Sequence, residues 1–112
     1  MLTLKTAQNV DLWEAWIDMQ VPGQFGGGTL FVIGDIVVGE GKLEPLFFKR
    51  AYQGPDPSVL LLEVRPNILV ENGRVAEIMY SEELDSPAQY REVVVYAGGE
   101  IIARLDEIEH VL

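Results

Sequence analysis

The chain has 112 residues, a mass of 12.5 kDa and a hydrophobic share of 48 %, enough for one core and too little for two, so residues 1–112 read as a single domain. With 23 % charged residues and no apolar run near the ~18 residues of a membrane span, the composition excludes a disordered tail and a membrane helix. Eighteen acids against eight bases leave a formal charge of −10, which repels polyanions and removes nucleic acid from the expected partners.

Short apolar segments rich in Val, Ile, Phe and Tyr recur about every ten residues between Gly and Pro, an all-β rhythm. Over 12–21, alternation sets Trp13, Ala15, Ile17, Met19 and Val21 on one face and Glu14, Trp16, Asp18 and Gln20 on the other. A helix with Val10, Trp13 and Ile17 on one stripe and a cap at Asn9 or Asp11 competes over 10–20, and the strand reading is preferred. Pro22 and Gly23 end this element, Gly26-Gly27-Gly28 forms a loose connection, and 29–38 is a strand with Gly34 as a bulge candidate.

Gly39-Glu40-Gly41 turns the chain into a return strand over 43–52, with Pro45 near its start. Gly54-Pro55-Asp56-Pro57 is a rigid loop, and 59–65 follows with Leu60, Leu62 and Val64 on one face. Asn72-Gly73 marks a hairpin between 68–71 and 74–80, because both positions of a type I′ turn need positive φ. A polar stretch over 81–89 leads to a final hairpin, 90–97 and 100–105, turned at Gly98-Gly99. In 100–112 the helical spacing of Ile101, Leu105, Ile108 and Leu112 competes with a strand, and the strand is preferred.

About seven short strands without a long crossover helix predict an antiparallel β-sandwich, with room for a short helix at one end. Phe47-Phe48, Leu60-Leu61-Leu62, Val37-Val38 and Val93-Val94-Val95 place apolar side chains on both strand faces. Either these residues are strand formers scattered on an exposed face, or an outer face needs cover, in which case a second copy of the chain, as a dimer, is the expected cover.

Reactive chemistry is thinly represented. The chain has no cysteine, which removes disulfides, thiolate metal sites and cysteine nucleophiles. The one histidine, His110, and the serines Ser58, Ser81 and Ser86 lie outside any nucleophile-elbow pattern. Residues 23–29 have the glycines of a phosphate-cradling loop but lack its lysine and precede a strand, so they read as a connection. Glu82, Glu83 and Asp85 offer oxygen ligands to a divalent cation without the spacing of a calcium loop, so a solvated acidic loop is preferred. Acids outnumber bases by ten to three over 71–109, while Lys42, Lys49 and Arg50 make one basic locality; this imbalance suits either a solvated exterior or attraction of a cationic partner. Trp16 faces away from Trp13 on an alternating strand; packing under a neighbouring loop is the preferred reading, and a binding anchor is the functional candidate. The first ten residues carry no apolar block with a cleavage site, so a cytoplasmic location is expected.

The run Val32-Ile33-Gly34-Asp35-Ile36-Val37-Val38, the segment 47–64 and the closing hairpin of 90–105 resemble small uncharacterised bacterial β-sandwich proteins with an immunoglobulin-like arrangement. The resemblance spans about two-thirds of the chain and implies a sandwich; it carries no active residue, and the Cys…Trp…Cys arrangement of antibody domains is absent. The expectation is a non-enzymatic interaction or structural module, without cofactor or membrane, that self-associates through an apolar sheet face or meets a protein partner. Trp16, Phe47, Leu61 and Val94 are its candidate binding residues. The alternative is a small-ligand or carbohydrate-binding domain that uses exposed aromatics and carboxylates.

Overall fold

Strands, some with side chains that alternate between buried and exposed, make up most of the described residues. A computed structural model describes residues 13–20, 26–38, 46–65 and 74–111. They form eight strands: β1 (Trp13–Asp18), β2 (Thr29–Val38), β3 (Leu46–Lys49), β4 (Val59–Arg65), β5 (Arg74–Glu83), β6 (Glu92–Ala97), β7 (Glu100–Leu105) and β8 (Glu109–Val111). No helix occurs among the described residues, so none there is long and apolar enough to cross a membrane. Sheet A has the order β5-β2-β1-β8 and sheet B the order β3-β4-β6-β7.

The two sheets bury their facing sides against each other. Ile17, Leu30 and Val32 of sheet A meet a layer built from Leu60, Leu62, Val64, Val93 and Val95 of sheet B, all fully buried in one cluster. Each such aliphatic group contributes roughly 1.5–3 kcal/mol by leaving water, so this layer is the main source of stability. β4 follows its predicted pattern, with Leu60, Leu62 and Val64 inward.

Four expectations need correction. The sheets are mixed, not purely antiparallel: β4 pairs β6 in parallel, and β1 pairs β8 in parallel. A parallel pair needs a crossover connection, commonly a helix; here β5, which lies in sheet A, intervenes between β4 and β6. The segment after β2 does not return along it. β2 is flanked by β1 and by a ten-residue pairing with β5, so both its edges are taken and β3 pairs β4 in the other sheet.

The third correction concerns Gly34, which is no bulge, because register runs unbroken through it to Trp13 on one side and Ile78 on the other. The bulge lies instead in the β6–β7 hairpin, where Val95 pairs Ala103 and Tyr96 pairs Ile101, leaving Ile102 as the extra residue. Ile102 and Ala103 are consequently both buried. The fourth is that Gly27 and Gly28, in the glycine segment before β2, are closely packed: the Leu84 amide donates to the Gly28 carbonyl at 2.9 Å, and a Cβ on Gly27 would collide with the backbone of 84–86.

Both segments with competing readings form strands where they are described, β1 in the first and β7 and β8 in the second. In the second, Ala103 and Leu105 face Val95 and Val93 across the hairpin, a period of two that no helix provides. Gly98 and Gly99 turn that hairpin with φ of 62° and 84°. The Asn72-Gly73 turn, the Gly39-Glu40-Gly41 turn and the strand of 68–71 lie outside the described residues.

Candidate functional site

On β1, inward burial of Trp13, Ala15 and Ile17 turns Glu14, Trp16 and Asp18 outward. Trp16 is half-buried because its ring stacks on Phe31 of β2, with centroids 5.5 Å apart and planes at 24°. Phe47 instead faces the interlayer space, edge-on to Trp13 at 5.8 Å and to Tyr80 at 6.2 Å, and packs against the core. Leu61 and Val94 are register partners on the outer face of sheet B. The four candidate binding residues therefore occupy three places: Leu61 and Val94 together, Trp16 on the opposite outer face, Phe47 between the sheets.

The outer face of sheet B has cover from its own chain. Val94 is only 2 % exposed. Beside it, the Gln53 side chain donates to the Leu61 carbonyl and accepts from the Leu61 amide, taking the place of a further strand residue. Arg50 lies over the Tyr96 ring at 4.2 Å and Arg65 over Phe48 at 4.8 Å, each also paired with Glu63. Arg104 reaches Glu92 at 3.0 Å. Arginine stems spread over apolar surface in this way while their heads stay wet.

Glu82, Glu83 and Asp85 do not converge. Neighbours on a strand point to opposite faces, so Glu82 turns inward, Glu83 outward, and Asp85 lies past the strand end. Among the described residues no group of three or more His, Cys, Asp or Glu side chains is placed to hold a metal. The Glu82 carboxylate accepts from the Tyr80 hydroxyl at 2.6 Å, from the Tyr90 hydroxyl at 2.8 Å and from Lys49 Nζ at 3.3 Å, and Lys49 Nζ also donates to the Tyr90 oxygen at 3.1 Å.

Burial, reinforced by Glu82, raises the pKa of Tyr80 far above the phenol range; burial also raises Tyr90 despite the opposing Lys49 bond. For Lys49, partial burial works downward, but the Tyr90 hydroxyl and Glu82 carboxylate outweigh it and hold its pKa above the ordinary value. At neutral pH the tyrosines keep their protons and the lysine its charge. The cluster ties β3, β5 and the approach to β6 together and has neither a free base nor a lowered nucleophile.

The outer face of sheet A is different. Trp16 pairs Phe31, and Ile33 of β2 pairs Met79 of β5, so side chains at register positions make an apolar band across three strands. Met79 is 60 % exposed and Val75, farther along β5, 65 %. Around the band stand six carboxylates, those of Glu14, Asp18, Asp35, Glu77, Glu83 and Glu109, and among the described residues no lysine or arginine lies on this face. Next to Trp16 a groove of about 530 Å³ opens along β1, lined by Trp13, Glu14, Ala15 and Trp16 and by residues of β7, the β7–β8 connection and β8. Comparison with known proteins found no matching family model, no curated protein and no solved structure of significant similarity.

Alternation around Trp13 signals the outward Trp16 in the sequence, but Phe31, Ile33 and Met79 were missed. Leu30 to Ile33 is an unbroken apolar run, so only the register with β1 separates the outward Phe31 and Ile33 from the inward Leu30 and Val32. Met79 carried a usable signal in the alternation of Val75, Glu77 and Met79 with Ala76 and Ile78.

Proposed function

We propose that this protein is a non-enzymatic interaction module that recognises a protein partner through the outer face of sheet A. The observation that carries the proposal is the band formed by the Trp16–Phe31 stack and the exposed Met79, on a face with no cover from the described chain. A large, rigid aromatic amid a polar rim is the usual anatomy of an interaction anchor. The inert state of the Glu82 cluster supports a non-enzymatic reading. The immunoglobulin-like arrangement belongs to the same proposal, supported by two packed four-stranded layers.

Self-association, in this proposal, does not set the outer face of sheet A against itself, since six carboxylates would then meet six. A photo-cross-linking residue at Met79, with a control at the exposed Tyr52, tests the assignment in the native host. A defined adduct from Met79 of a mass other than twice the chain supports it. An adduct of twice the chain mass replaces the partner with a second copy, and adducts only from Tyr52 reject the face.

A second reading, a small-ligand or carbohydrate-binding domain, is favoured by the groove beside Trp16. Quenching of tryptophan fluorescence by a panel of oligosaccharides, abolished in Trp16→Ala, would support it.

A further inference from the structure

The groove next to Trp16 is lined by four consecutive residues of one strand, Trp13 to Trp16. Successive strand side chains point to opposite faces, so a cavity that touches all four looks onto the edge of β1. β8 accounts for part of that edge only, because it pairs β1 at Trp16, Ile17 and Asp18 and begins at Glu109. Ahead of Trp16, no described strand pairs Trp13–Ala15 on this side. An unpaired strand edge is a template for another strand.

The chemistry of the walls restricts what that strand can be. Glu14, Asp106, Glu107 and Glu109 line the groove with one base, Arg104, whose guanidinium is already held by Glu92 at 3.0 Å. A neutral segment would leave carboxylates against it with no partner, and an acidic one would be repelled. Trp16 lines the same groove, and an indole face attracts ammonium and guanidinium groups. Trp13 also lines it, at the foot of the groove where the core begins.

We infer that the edge of β1 left unpaired by the described strands accepts an extended, lysine- or arginine-bearing segment of a partner protein as an added strand. The inference rests on the proposal that a protein docks around Trp16, and it names the partner's docking element and its charge. A second copy of this chain suits the groove less well, given the −10 charge on each copy.

The test uses the intact chain and three peptides of about ten residues, alternating valine with lysine, with glutamine or with glutamate, followed by amide hydrogen exchange and by NMR of assigned side chains. The lysine peptide is expected to slow exchange within Trp13–Ala15, to shift Trp16 and Glu109, and to weaken with added salt. The glutamine peptide and the Glu14→Gln/Glu107→Gln variant are each expected to bind about tenfold more weakly. Equal binding of the glutamine peptide overturns the cationic assignment. Shifts confined to Phe31, Ile33 and Met79 without protection at β1 overturn the added strand while leaving the docking face of the preceding proposal intact. Absence of binding by the lysine peptide overturns the inference as a whole, and the Met79 cross-link then reports separately on the face.

Discussion

Gly34 of β2 lies opposite Trp13 of β1, and the indole takes the space in which any other residue would carry its Cβ. The same indole packs edge-on against Phe47 from the other sheet. Gly34→Ala should therefore push Trp13 off its site and disturb the contact between layers. Overpacking of this kind costs about 1–3 kcal/mol, which for a domain of this size lowers Tm by roughly 5–15 °C. Thermal unfolding followed by circular dichroism checks this; an unchanged Tm would mean that the ring moves aside freely.

Glu82→Ala removes the acceptor shared by Tyr80, Tyr90 and Lys49. The two hydroxyls then lose their acceptor, at about 1–3 kcal/mol. Urea denaturation should show a lower midpoint with an unchanged slope. Glu77→Ala, on the same strand and facing outward, should cost clearly less.

The same cluster makes the fold sensitive to alkali. Tyr80, Tyr90 and Lys49 all have their pKa raised in the folded state, from ordinary values of 10.0 for the tyrosines and 10.5 for the lysine. Above pH 10 the unfolded chain gives up these protons first, so it holds fewer than the folded chain and stability falls as pH rises. This contribution is complete below about pH 10 and declines as pH climbs through the folded-state values. Tm should thus drop above about pH 10, and Tyr80→Phe should make the drop shallower.

At the acid end the group to watch is Asp56. The Ser58 hydroxyl and amide both donate to it, Arg91 adds a contact at 2.8 Å, and together they hold its pKa at about 2, below the ordinary 3.8. A depressed carboxylate supports the folded state above its ordinary pKa and loses that support as pH falls through the folded value. Carboxyl-carbon NMR titration should find Asp56 still ionised at pH 3, and Ser58→Ala should raise its pKa more than Arg91→Ala, an exposed ion pair.

What the sequence discloses is the period of two, and what it hides is which edges meet. The limits of β2 and β4 follow from the Gly and Pro residues around them, and the opposite facing of Trp13 and Trp16 from alternation within one segment. The parallel β4–β6 pair was illegible because its crossover contains a strand of the other sheet instead of a helix. β5 runs on through Ser81, Glu82 and Glu83, a polar stretch read as a loop, because these residues pair Phe31, Leu30 and Thr29 and because two tyrosines satisfy the inward Glu82. Similarly, the apolar side chains at Leu61 and Val94 suggested a surface waiting for a second copy. Val94 is buried within the single chain and the Leu61 backbone is held by the Gln53 side chain, information that lies between segments and not within them.

Trp16→Ala bears most directly on the central claim that the outer face of sheet A is a docking surface. Its ring lies on Phe31 outside the core cluster, so the variant should unfold within a few degrees of the parent, a cost of about 1 kcal/mol. The adduct formed from a cross-linker at Met79 should fall at least about tenfold in yield. A full yield of that adduct from the folded variant would contradict the docking surface, and gross unfolding would place Trp16 in the core instead.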